Sequence, residues 1–559
     1  MNTPRSILFA AAWALLALAP YSRAETGITN TINGSSINYA SNYYVGSNGA
    51  FNALIVTNAG KLKVTGLGIV GNTALAASNY AIVIGPGSLW SNSSNLEIGI
   101  FGSGNRLTIA NSGQVFNGAG YIGDSDTARN NSVIVTGQGS VWSNSSWLYV
   151  GNSGSGNSLS ITNGGTVFNT EGRVGVGSTA SNNSVIVTGP GSVWSNSLLL
   201  GVGNSGSGNS LTIANSGHVF SLGGGIGWFS TASNNSVIVT GPGSVWSNSS
   251  NLPIGGDGSG NSLSITSGGT VAATNIVIGY YASSGNGLTV SGGNLYATNV
   301  TSTGALDVRY GTLTLNSGTV TVNNFLATNG ASSVVNFSGG LLRSGGSSVS
   351  NGVAFTVGDG TNTATLDLLG GTHSFADGLM LSTNSSLIGS GNISGNVTNF
   401  SIIAPGHSIG TINITGGLML TNTSELDMEI AGPGTNDQLD ISGLLQAGGL
   451  LNVTLTNGYT GNAGDTFDLF NFGSLSGTFA QTNLPALGGG LWWNTGNLYT
   501  LGEIQIVPEP GTGALLTLGD GRARRAAADK EECEDKRPLN TGNRRKSFPL
   551  PTFSVFWCV

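Results

Sequence analysis

Gly85-Pro86-Gly87-Ser88-Leu89-Trp90-Ser91-Asn92 returns as Gly137–Asn144, Gly189–Asn196 and Gly241–Asn248, each copy 52 residues after the last. Half of that interval repeats too. Ser132-Val133-Ile134-Val135-Thr136 lies over Ser158-Leu159-Ser160-Ile161-Thr162, and Trp142-Ser143 over Phe168-Asn169, both at 26 residues. The unit is therefore a 26-residue module in two alternating forms. A constant period of this size marks a solenoid, in which each repeat buries its apolar face against the next.

The columns of the period say which solenoid. Asn79, Asn105, Asn131, Asn157, Asn183, Asn209, Asn235 and Asn261 form one column, and glycines from Gly87 to Gly269 form another. Val83, Ile109, Val135, Ile161, Val187, Ile213, Val239 and Ile265 form an apolar one. Gly, Asn, Ser and Thr are poor in helix interiors, and the apolar residues alternate, as at Val133 and Val135, which is strand patterning. The expectation is an all-β chain, a parallel β-helix (β-solenoid) with coils of about 26 residues and a C-terminal β cap. Stacked asparagines are expected to form a structural ladder, each bonded to its copies above and below.

Composition narrows the class. Charged residues are 8% of the chain, against about 25% in ordinary domains, and 92 of 559 residues are Gly. Strict apolar columns distinguish it from a disordered tract, which needs no register. Nine of the 18 Lys and Arg and six of the 25 acids follow Gly519, so the body carries nine cations against 19 acids. No basic stripe favours nucleic acid. Cys533 and Cys558 both lie in the tail, so no disulfide framework braces the repeats.

In order, residues 1–24 read as a signal peptide: Arg5, an apolar run from Ile7 to Ala19, and a small-x-small site at Ser22-Arg23-Ala24. The run is short for a membrane span. Residues 25–78 read as N-terminal capping coils and 79–287 as the regular 26/52-residue repeats. Residues 288–420 read as irregular coils with a period near 24 or 25, and 421–506 as a C-terminal β cap module that covers the open strand edges. About 16 coils at about 4.8 Å each give a rod of roughly 75 Å up to residue 420.

The phrase Val187-Thr188-Gly189-Pro190-Gly191-Ser192-Val193-Trp194-Ser195-Asn196, followed by Leu200-Gly201-Val202-Gly203 and Gly206-Ser207-Gly208-Asn209, resembles a repeat shared by type V (autotransporter) passenger proteins and PEP-CTERM proteins. The resemblance is close over residues 79–287 and looser in the flanks, including Ile403 to Ile414. It implies an exported bacterial cell-surface β-solenoid with no assigned enzymatic activity. Pro508-Glu509-Pro510 resembles the PEP-CTERM sorting motif, with Arg522, Arg524 and Arg525 as its basic cluster. The motif implies signal peptidase and an exosortase as partners during export. The apolar stretch Gly511 to Leu518 departs from the pattern, since a membrane span needs about 20 residues. Residues 507–525 thus read as a degenerate tag, and 526–559 as a disordered tail produced by a frameshift near Gly519. No transmembrane barrel is legible after Leu420.

Catalytic chemistry needs convergent titratable groups. No H-E-x-x-H motif, Walker loop or nucleophile elbow with an obvious triad is present. His218 is expected at a solvated turn, His373 has no assigned role, and His407 lies in a turn without a sequence-near partner. Glu97, Asp124 and Asp126 are 27 and 29 residues apart, so neighbouring coils bring them to one face, as either surface acids or a calcium or catalytic cluster. Gly434-Thr435-Asn436-Asp437-Gln438-Leu439-Asp440 faintly resembles a calcium repeat, but one copy reads as a turn. No cofactor or metal is expected.

Trp90, Phe116, Trp142, Phe168, Trp194, Phe220 and Trp246 share one sequence column. Adjacent strand residues face opposite ways, so with Val141 inside, Trp142 faces out as a glycan-stacking ribbon unless a bend turns it inward. The expectation is a structural or adhesive surface or matrix protein without catalysis, a monomer or laterally associating rod. The alternatives are a carbohydrate-binding protein that meets extracellular polysaccharide through this column, and a β-helix polysaccharide lyase or hydrolase.

Overall fold

The structure, a computed structural model, describes residues 26–509. Residues 1–25 and 510–559, with the expected signal peptide, the rest of the sorting tag and the tail, lie outside the described residues. The chain forms a parallel β-solenoid of about 17 turns with coils of about 25 residues. One short 3-10 turn, Gly330–Ser332, is the only helical element among the described residues.

Each regular coil has three strands separated by corners. In one coil these are Ser132–Thr136, Val141–Asn144 and Leu148–Val150; in the next, Ser158–Thr162, Thr166–Asn169 and Gly172–Val174. Like strands pair in parallel from coil to coil and build three faces. Along each strand alternate residues point inward, so Val133, Val135, Leu148 and Val150 are fully buried in one continuous core. Both faces of the strand hydrogen-bond plane are used: the inner for stacking, the outer for solvent.

The asparagine column is the expected ladder, extended by one rung at each end. From Asn52 to Asn286, each side-chain amide donates to the Oδ1 of the next asparagine at 3.0–3.2 Å. The same Oδ1 accepts the backbone N–H of the asparagine below at 2.8–3.0 Å. Asn79 to Asn261 are completely buried. Glycines make the room: Gly123 has φ +76°, and a β-carbon there would overlap the Asn157 amide. Gly99, Gly151, Gly175 and Gly203 stand in the same relation to Asn131, Asn183, Asn209 and Asn235.

From Asn286 the coils change. The first corner disappears and the first two strands fuse, as in Asn286–Ala297, Gly311–Val322 and Ala364–Phe375. Parallel stacking runs past residue 420: Glu425–Gly432 pairs with Leu450–Leu455, and Gln438–Ala447 with Phe470–Gly477. The expected 421–506 cap is therefore mostly further solenoid. The separate element is a small antiparallel sheet of Thr466–Asp468, Leu491–Asn494 and Glu503–Pro508. Phe467, Leu469, Ile504 and Ile506 are buried where this sheet closes the end of the core.

Candidate functional site

The aromatic column divides between the two readings, with its tryptophans turned into the core and its phenylalanines facing out. Trp90, Trp142, Trp194 and Trp246 are 0% exposed, whereas Phe116, Phe168 and Phe220 are 38–42% exposed. Trp142 pairs with Val115 and Val167, while Phe168 pairs with Ser143 and Ser195. A tryptophan coil spends four residues, Gly137–Ser140, on its first corner; a phenylalanine coil spends three, Asn163–Gly165. That one-residue difference reverses which residues point inward. Val141 accordingly faces out and Val167 in. A continuous glycan-stacking ribbon of all seven aromatics is thus excluded.

The same offset moves His218. It is the first residue of the strand His218–Ser221, not of a turn. Its Nε2 lies 3.1 Å from the Gly243 carbonyl and its ring meets Phe220 edge-on. His407 has a partner that sequence proximity could not show: its Nε2 is 2.9 Å from Asp367 Oδ1, and Arg343 holds the other oxygen at 2.9 Å. His373 is fully buried, with Nδ1 3.0 Å from Ser347 Oγ and Nε2 2.8 Å from the Gly370 carbonyl. Burial pushes its pKa down. A neutral ring that donates from Nε2 and accepts at Nδ1 satisfies both contacts, so this Ser–His pair is a core fastening with no route to substrate.

Chemistry gathers on the outer side of the third face instead. Its central outward positions read Glu97, Tyr121, Tyr149 and Arg173 on successive coils. Trp147 donates from Nε1 to the Tyr121 hydroxyl at 2.7 Å and stacks on Tyr149 at 5.9 Å. Arg173 lies over Tyr149 and pairs with Glu171 at 3.1 Å. Glu97 and Asp124 do come together: burial, then the Asp124 charge, raises the Glu97 carboxyl to about 7. Asn152 donates to Asp124 Oδ1 at 2.8 Å. Asp126 does not join them; it accepts from Ser125. Among the described residues no three His, Cys, Asp or Glu side chains converge as a metal site.

Further along the same face the outward column empties at Gly201 and Gly225. The indole of Trp228 lies in the gap, where a β-carbon on Gly225 would overlap it. Phe229, Tyr280, Tyr281, Asp307 and Arg309 join Trp228 around a cleft of about 1000 Å³. Arg309 is 2.6 Å from Asp307 and lies 5.0 Å from the Tyr280 ring centre. None of these aromatics belongs to the column singled out by sequence. A signal was present: Trp228-Phe229 and Tyr280-Tyr281 are 52 residues apart, each after an Ile-Gly pair.

The stretch 434–440 forms a clasp. Asp437 is buried and accepts the Gly410 and Glu429 N–H groups at 2.7 and 2.8 Å. Pro508 ends the cap sheet opposite Leu491, and the Glu509 N–H donates to the Gly490 carbonyl at 2.7 Å. Pro510 lies outside the described residues. Among the described residues no helix is long and apolar enough to cross a membrane. No family model and no curated protein matches the chain.

Proposed function

We propose that the chain is an exported bacterial surface or extracellular-matrix protein with a structural or adhesive role and no catalytic one. The observation that carries this reading is the parallel stacking of coil on coil, in register through the regular repeats. Coil after coil is held by inward stacking and the Asn52–Asn286 ladder, so the coils repeat a surface along a rod. A repeated surface suits multivalent attachment, where many weak contacts add. Signal peptidase and an exosortase acting on Pro508-Glu509-Pro510 are the export partners under this reading. Fractionation of the producing cells tests it. Recovery in the envelope or matrix supports the proposal, and a cytoplasmic protein with residues 1–24 intact ends it.

A second reading, polysaccharide binding, is favoured by the exposed Trp147 and the half-buried Tyr121 and Tyr149 of the third face, with the cleft at Trp228. Pull-down of the purified chain on insoluble polysaccharide tests it. The Glu97–Asp124 pair is what a hydrolase or lyase would use. Sugar release that is lost in Asp124→Asn would favour that enzyme over a binder.

A further inference from the structure

We infer that the cleft at Trp228 is a binding site for a neutral, extended oligosaccharide chain. The inference rests on the polysaccharide-binding reading and adds the site and the class of sugar.

The cleft is built along the stacking axis. The backbone N–H of Trp228 donates to the Gly203 carbonyl, that of Gly256 to Gly227, and that of Tyr280 to Gly255. Trp228, Gly256 and Tyr280 are therefore equivalent positions on three successive coils. Two rungs separate the backbones of Trp228 and Tyr280, about 10 Å, which matches the length of a disaccharide in an extended chain. Gly256, between them, carries no side chain, and a β-carbon there would press on the Trp228 backbone. In the adjacent line Phe229, Asp257 and Tyr281 follow one another in the same way, with Asp257 donating its N–H to Trp228 and Tyr281 to Gly256.

Three observations select the occupant. Trp228 is 37% and Tyr281 57% exposed, although both rings are large enough to have been buried. A flat ring with one free face stacks on the C–H face of a pyranose. Gly201 and Gly225 leave room for the indole against the sheet, since a β-carbon on Gly225 would overlap it. Polar groups sit at the rim, where sugar hydroxyls would fall: Asp257, Asn251, and the Asp307–Arg309 pair. Two carboxylates against one guanidinium leave the cleft with one net negative charge, which disfavours uronate chains. Such a combination of apolar floor and few placed polar groups is that of a ligand site.

The test is calorimetric titration of the full chain with hexasaccharide probes: β-1,4-glucan, β-1,3-glucan, β-1,4-mannan and polygalacturonate. At least one neutral hexamer is expected to bind, and more tightly than the galacturonate. Trp228→Ala and Tyr281→Ala are each expected to weaken it roughly tenfold, while Phe168→Ala leaves it unchanged. Thermal melting confirms that each variant is folded, and the solvent-facing Tyr281 serves if Trp228→Ala is not. Wild-type affinity in both folded cleft variants, preference for galacturonate, or no neutral hexamer bound overturns the inference. So does a concentration-dependent dimer that the cleft variants abolish, since the occupant is then a second copy. The polysaccharide pull-down judges the wider reading separately: binding that survives the cleft variants refutes this site alone.

Discussion

At the residue scale, stability rests on buried, mutually bonded amides. The Asn157 side chain accepts two hydrogen bonds from Asn131 and donates one to Asn183. Asn157→Ala leaves a buried N–H and a buried amide unpaired, at a cost of about 2–5 kcal/mol; faster hydrogen exchange at the Asn131 amide is the readout. The repeat also contains a natural defect. Trp142 and Trp194 donate from Nε1 to Asn117 and Asn169 at 2.8 Å. At the next equivalent position stands Ser221, bonded to Asn248, and Trp246 Nε1 has no partner. Ser221→Asn is expected to raise stability by about 1 kcal/mol, seen as a higher melting temperature; a lower one rejects this account. Glu97 sets a pH dependence. Its folded carboxyl titrates at about 7 against an ordinary 4.5, so the folded state holds the extra proton between those values. Its contribution to stability is greatest below the ordinary value and falls as pH rises towards 7. The melting temperature of Glu97→Gln minus that of the wild type should therefore grow between pH 5 and 7.5; a constant difference removes the effect.

At the element scale, corner length decides what each strand buries. Tryptophan and phenylalanine coils have the same length, 26 residues, but distribute it differently. The longer first and second corners of one are matched by the longer third corner of the other, Gly175–Asn183 against Gly151–Asn157. The total keeps the asparagine ladder in register while the middle strand slips by one residue. Trp142→Ala should cost about 3–5 kcal/mol, and Phe168→Ala under about 1 kcal/mol. Chemical denaturation compares them, and equal costs would contradict the slip. The slip also hides a second polar line from a fixed-period reading. Asn117 donates to Asn144, and Asn169 to Asn196, both at 2.6 Å, but their spacings alternate between 25 and 27 residues.

At the scale of the whole molecule, about 17 turns at about 4.8 Å give a solenoid near 80 Å long. Small-angle scattering of the full chain should show an elongated particle whose cross-section is much smaller than its length; a compact sphere is incompatible with the stacking. The period, the parallel stacking and the asparagine ladder were all legible in the sequence, because each follows from like residues recurring at one interval. Inward or outward facing at Trp142 and Phe168 was not, because it depends on how many residues each corner consumes. Contacts such as His407 with Asp367, 40 residues apart, arise where coil lengths become unequal and the period no longer predicts neighbours. The sequence by itself determined that coils repeat and lie in register. Only the tertiary structure decided which side chains each coil presents to solvent, and so where Trp228, Tyr280 and Arg309 meet, because facing is a parity of strand position that one corner residue reverses.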